Sequence, residues 1–321
     1  MRFPLHIITE KELSTVLQTL QVLIINTERS NSLQEALQNL YAHRNLEVGY
    51  INCSKKSLGA IIELCVEAKV VSIVAGTAYC FSPNEPFSAS LIGNTVNMEK
   101  DSVCQQLLKN PQLDLLSTIG IQLYLSDPDA LKELHQHYFE TLRLGALRDD
   151  IAKAEPLLRE SHQCYFDMNV VRYSDAPECT QHTPNGMYAE EICQIARYAG
   201  NDNLYYANIS GYSDNLSATS QTMQIVAQVI WHIIEGISFR RKEDLRNYEQ
   251  NADLEKIIVN MDGKQNLLFL RSQISSKWWM KIPLNNGLYR WISCLYDDYQ
   301  CACRHEVPVR WLWFYQKFSK N

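Results

Sequence analysis

The stretch Cys164–Gly200, CYFDMNVVRYSDAPECTQHTPNGMYAEEICQIARYAG, decides the fold. It opens on a short apolar run, Cys164–Phe166, of the kind that ends a buried strand. Asp167 follows, then Met168 and Asn169. A turn-rich segment comes next, with Pro177, Pro184, Asn185 and Gly186. From Glu190 to Ala199 the pattern is helical, with Ile192, Ile195, Ala196 and Ala199 on one stripe. A strand ending in an acid, a Pro/Gly loop and then a helix is the order in which α/β folds present their chemistry.

Working outward, the same alternation fills the N-terminal half. Val22–Asn26, Val48–Asn52 and Val70–Val74 read as buried strands. Between them, Ser32–Tyr41 and Leu58–Ala68 are helical in pattern. An opening helix runs to Leu20, with Thr9 and Glu12 at capping-box spacing. Downstream, Leu116–Leu125 reads as loop and strand around Ile119-Gly120-Ile121-Gln122. Pro128–Arg143 reads as a helix ended by Gly145, and Asp149–Arg159 as a further helical segment. Leu204–Ile209 reads as a strand and Ser217–Phe239 as a long apolar helix. Continuous apolar strands alternating with amphipathic helices imply a parallel sheet covered on both faces. The expected architecture is therefore three-layer αβα with a mainly parallel sheet.

The tail differs in character. Ile257–Asn260 and Leu267–Leu270 flank Asp262-Gly263, a good hairpin dipeptide. Trp278–Ile282 adds a third strand, and Trp311 and Trp313 lie in a closing aromatic segment. These about 65 residues are too few for a core of their own. The expected division is residues 1–250 as the α/β domain and 251–321 as a small antiparallel β appendage packed on it. Trp278 and Trp279 point to opposite faces of a strand. Either the chain covers both, or one meets a partner, since aromatics are favoured at interfaces.

The central stretch resembles the arginase, agmatinase and formimidoylglutamase family, the ureohydrolases. The residues that carry the likeness are Tyr165-Phe166-Asp167-Met168-Asn169, then Ser174-Asp175-Ala176-Pro177, then Pro184-Asn185-Gly186. A divergent, formimidoylglutamase-like subgroup is closer still. Its marks are Glu155-Pro156 with Arg159, the phrase Pro184–Gly200, and Ala227-Gln228 with Trp231. The resemblance runs from about Ile119 to the C-terminus and implies an arginase-like fold and a homo-oligomer.

The resemblance also implies a site. Active ureohydrolases hold two Mn²⁺ ions and a bridging hydroxide, bound by four aspartates and two histidines; the ions lower the pKa of that water and aim it at an amidino carbon. Of those ligand positions only Asp167 keeps its residue type. The first histidine falls on Ala78, the second motif on Gly93, Thr95 and Asn97, and a further aspartate on Asn169. A glutamate that helps hold the guanidino group falls on Gly211. One carboxylate and neutral amides do not balance two divalent cations. Asp167 then reads either as an acceptor for backbone N–H groups of the next loop or as the relict of a single-metal site.

Elsewhere the chain is bland. His135 and His137 stand two apart on a helical pattern and cannot chelate one ion; His162, His182 and His232 are scattered. There is no G-x-S-x-G, Walker or dinucleotide motif. The net charge is −6, with acids and bases interspersed, which argues against nucleic acid as a partner. No apolar run is long enough for membrane insertion, and the N-terminus does not read as a signal peptide. Ten cysteines occur, mostly inside apolar runs, which suits a reducing, cytoplasmic setting.

The sequence thus supports a catalytically inactive ureohydrolase homologue, a pseudo-enzyme with a binding or scaffold role, no cofactor, and a protein partner or second copy as its ligand. Two other readings stand beside it. One is an active hydrolase of a guanidino or amidino substrate, which would need Mn²⁺. The other is a metal-free small-molecule sensor.

Overall fold

Strands covered on both faces have no side to give to water, so runs of consecutive apolar residues become the interior strands of a sheet. A computed structural model describes residues 2–28, 30–241, 243–261, 266–285 and 287–319. The chain forms two units: Met1–Glu133 with Phe139–Arg240, and Leu134–Tyr138 with Arg241–Asn321.

The first unit is built on β1 (His6–Ile7), β2 (Val22–Asn26), β3 (Val48–Asn52), β4 (Val71–Ala75), β5 (Phe87–Ile92), β6 (Leu113–Ile121), β7 (Glu140–Arg143), β8 (Gln163–Asp167) and β9 (Tyr206–Ser210). They form one nine-stranded sheet in the order β1-β3-β2-β4-β9-β8-β5-β6-β7. Every pairing in it is parallel. The four strands anticipated as members of one sheet, at Val22, Val70, Cys164 and Leu204, are the adjacent set β2-β4-β9-β8.

The helices of this unit are α1 (Leu13–Val16), α2 (Ser32–Gln38), α3 (Leu58–Ala68), α4 (Val103–Leu108), α5 (Pro128–Gln136), α6 (Leu144–Asp149), α7 (Ala154–Arg159), α8 (Ala189–Ala199) and α9 (Gln221–Ser238). Val22, Ile24, Ile73, Ala207 and Phe166 pack on one face with α2, α7, α8 and α9. The opposite face holds Leu23 beside Ile8 and Leu20, which crowd Gly49. This is the three-layer αβα arrangement. Burial of α9 is set by its apolar stripe, and its start by Ser220, whose hydroxyl accepts from the Met223 N–H at 3.2 Å. Helices α8 and α9 touch backbone to backbone: a Cβ on Gly236 would stand 2.3 Å from the Arg197 carbonyl.

Several boundaries depart from the sequence reading. The helix from Pro128 stops at Gln136 and does not reach Arg143; Tyr138 takes a φ of 55°, and Glu140–Arg143 joins the sheet edge instead. The Thr141 hydroxyl accepts from Thr118 Oγ1 at 3.1 Å, a cross-strand bond that helps hold this polar strand. Gly145 lies inside α6 and ends nothing. The helical segment to Arg159 is broken at Asp150, whose carboxylate caps a 3₁₀ turn at Ile151–Lys153. The opening helix is only Leu13–Val16 and a 3₁₀ turn; Glu12 accepts from the Thr9 N–H at 3.1 Å, but that bond closes a turn ahead of it. Strand β5, an interior strand between β8 and β6, was not anticipated.

The second unit holds a four-stranded antiparallel sheet, β10 (Leu254–Asn260), β11 (Asn266–Ser272), β12 (Trp278–Pro283) and β13 (Tyr289–Cys294), followed by α10 (Tyr296–Cys303) and α11 (Val309–Ser319). Ile257 pairs with Phe269 and Val259 with Leu267, as the hairpin pattern predicts. Asp262-Gly263 itself lies outside the described residues. Trp278 and Trp279 are both buried by this unit. Trp278 stacks on Tyr299 at 4.8 Å, and Trp279 packs with Tyr248, Leu254 and Leu270. Trp311 and Trp313, in the closing aromatic segment, belong to α11.

Candidate functional site

The C-terminal ends of β4, β5, β8 and β9 enclose a cavity of about 250 Å³. Ala78, Gly93, Thr95, Asn97, Asp167 and Asn169 all line it, as does Gly211. Positions scattered over some 130 residues of chain are thus gathered at one end of the sheet, where open α/β folds bind ligands.

Asp167 ends β8 and is the carboxylate among these positions. Its Oδ1 accepts two hydrogen bonds, from the Asn169 N–H at 3.0 Å and from Asn169 Nδ2 at 2.7 Å. That is the structural role of an acid at a strand end, capping the 3₁₀ turn that follows. Burial pushes the Asp167 carboxyl above its ordinary value, and the two bonds from Asn169 work against that rise. Oδ2 bonds to no described residue.

Asn169 is fully engaged. Its Nδ2 donates to Asp167 and to Thr180 Oγ1, while its Oδ1 accepts from the Gln181 N–H at 2.7 Å and from Thr180 Oγ1 at 3.1 Å. An aspartate could not supply the Nδ2 donors, so asparagine fits this network by its chemistry. Gly211 closes the other flank. Its φ is +87°, and a Cβ there would stand 2.0 Å from Asp167 Oδ1. No side chain can occupy this position without displacing the carboxylate.

The remaining walls are neutral. Thr95 Oγ1 donates to the Leu125 carbonyl at 2.6 Å, and Asn97 Oδ1 accepts from the Glu99 N–H at 3.3 Å. Asn208 ties β9 to the loop carrying Ala78: its Nδ2 donates to the Thr77 carbonyl at 2.9 Å and its Oδ1 accepts from the Tyr79 N–H at 3.3 Å. The Ser210 hydroxyl has no bond to a described residue. Leu91, Ile92, Val103 and Phe166 supply apolar wall. Cys104 also faces the cavity, but burial pushes its thiol up to about 12, so it carries no thiolate for nucleophilic attack near neutral pH.

No histidine lines the cavity. His162 Nδ1 accepts from the Ser88 N–H at 3.0 Å, His182 packs on Tyr173, and His135 packs on Trp313. Among the described residues no three His, Cys, Asp or Glu side chains converge as a metal site. The donor set at the cavity does not suit a pair of divalent cations. Asp167 offers one free carboxylate oxygen, and the other oxygens belong to neutral groups.

Sequence reasoning placed Asp167 and Asn169 here through the motif. It missed Thr180, Asn208, Ser210 and Cys104. Asn208 and Ser210 alternate along β9 just ahead of Gly211, a period-two signal that could have flagged them.

No protein-family model matches the chain, and no curated protein matches it. Solved structures do. A formiminoglutamase from Trypanosoma cruzi bound to Mn²⁺ superposes with a TM-score of 0.60 at 13% identity, over 70% of this chain and 95% of that one. Formimidoylglutamase from Bacillus subtilis gives 0.56 at 14%, over 69% and 88%. An arginase-like protein from Trypanosoma brucei gives 0.52 at 11%, over 73% and 99%. The chain therefore shares the αβα fold of these solved structures and carries an antiparallel sheet besides.

Proposed function

We propose that this arginase-fold chain is a ureohydrolase relative that has left catalysis and works by binding, as a sensor of small molecules or a scaffold for a protein partner. The observation that carries the reading is the cavity at the end of β8. It has room and one carboxylate, and its lining includes Ala78, Gly93, Thr95 and Asn97, the positions that the sequence resemblance aligns with the family's metal ligands. Without a bound metal, water near neutral pH is a poor nucleophile, and no histidine lines the cavity to act as a general base. The protein on this reading takes no cofactor; Mn²⁺ belongs to the rival, a hydrolase of guanidino or amidino compounds. The net charge is −6, which disfavours nucleic acid. Among the described residues no helix is long and apolar enough to cross a membrane. A protein partner or a second copy, in a reducing cytoplasm, completes the proposal.

The test is turnover. With added Mn²⁺, the protein should release neither urea from arginine or agmatine nor formamide from formimidoylglutamate. Release that Asp167→Asn abolishes would restore the hydrolase.

A further inference from the structure

The cavity has one open carboxylate oxygen, and its geometry selects what can meet it. Asp167 Oδ1 is used twice by Asn169, and its far side is covered by the backbone of Gly211. Oδ2 is left without a partner among the described residues, and Asp167 lines the cavity. A guanidinium gains its advantage from a two-pronged fit onto both oxygens of a carboxylate, and that fit is closed here. A primary ammonium is a compact charge with rotatable donors and needs one oxygen plus nearby neutral acceptors.

We propose that the cavity binds a small primary amine, with its ammonium on Asp167 Oδ2 and its alkyl body along Leu91, Ile92, Val103 and Phe166. The proposal rests on the non-catalytic reading of the same site. Several features support it. The Ser210 hydroxyl and the Asn97 amide line the same cavity and can take the remaining ammonium protons. Phe166 and Ile92 are almost fully buried elements of the sheet and give the ligand a fixed apolar wall. The volume, about 250 Å³, equals the share of roughly eight waters, which admits a short alkyl chain. A buried carboxylate with no cationic side chain among the described residues of its cavity is costly, and an organic monocation offsets that cost without the dehydration a divalent metal demands.

The experiment is calorimetric titration of the full-length protein with n-pentylamine, n-pentylguanidine and n-pentanol, alongside elemental analysis of the same preparation. Pentylamine should bind roughly tenfold more tightly than pentylguanidine, and pentanol should bind more weakly than either. Asp167→Asn should weaken pentylamine by roughly tenfold or more while leaving the melting temperature at or above that of the parent. Gly93→Val gives a second arm. A Cβ there has only ordinary contacts, at 3.7 Å to the Thr95 carbonyl and 3.8 Å to Asp167 Cβ, so this variant should fold and block the cavity. Pentylamine binding that survives both substitutions, a preference for the guanidine, or no binding in metal-free protein overturns the amine proposal. Stoichiometric manganese in the preparation overturns the non-catalytic reading beneath it instead.

Discussion

Gly211 and Asp167 are in direct contact: a Cβ added to Gly211 would stand 2.0 Å from Asp167 Oδ1. The contact explains two features at once. It turns the carboxylate so that one oxygen caps the following turn, and it fixes residue 211 as glycine through a φ of +87° that other residues adopt only with strain.

Gly211→Ala should therefore destabilise the first unit by about 2–4 kcal/mol, from backbone strain plus the clash with Asp167. Chemical denaturation measures it. Pairing Gly211→Ala with Asp167→Ala, which removes the clashing oxygens, should recover part of the loss; purely additive effects would show that the contact is not the cause.

Glu28 carries a pH dependence. It is 8% exposed and neither carboxylate oxygen bonds to a described residue. Burial pushes its carboxyl above the ordinary value; the nearby Tyr212 hydroxyl opposes this and Asp214 adds to it. The folded state then holds the Glu28 proton more tightly than the unfolded state. The favourable contribution is full below the unfolded pKa and is lost as pH rises through the folded one. Glu28→Gln should be more stable than the parent at pH 7.5, with the difference shrinking toward pH 4. Melting curves across that range check it, and a difference that grows on acidification would contradict it.

Trp279 anchors the second unit. Trp279→Ala should cost about 3–5 kcal/mol there, because it removes a large buried ring packed among Tyr248, Leu254 and Leu270. Faster hydrogen exchange across Leu254–Asn260 and Asn266–Ser272, with little change in β2 and β4, is the expected result.

How far the sequence could be read follows from the physics of each segment. Val22–Asn26 and Val48–Asn52 were legible because a strand buried on both faces leaves a continuous apolar run. Phe87–Ile92 was not, although it lies inside the sheet between β8 and β6. Its Ser88 and Ser90 break the run; Ser90 is satisfied by a long-range partner, the 2.6 Å bond to Ser161, while the buried Ser88 hydroxyl bonds to no described residue. Glu140–Arg143 is short, polar and at the sheet edge, so nothing local separates it from the helix before it. In the site, Asp167 and Asn169 were legible because they are neighbours in a motif. The Thr180 bonds to Asn169 and the Gly211 contact join segments 11 and more residues apart, and no local pattern announces them.

The central claim is that the cavity at Asp167 no longer serves a dimanganese centre. Titration of Mn²⁺ into chelator-treated protein, read by calorimetry and by the manganese retained after desalting, tests this most directly. The account predicts no saturable binding and no retained metal, with Asp167→Asn indistinguishable from the parent. Two manganese ions retained per chain, and lost in Asp167→Asn, would contradict it.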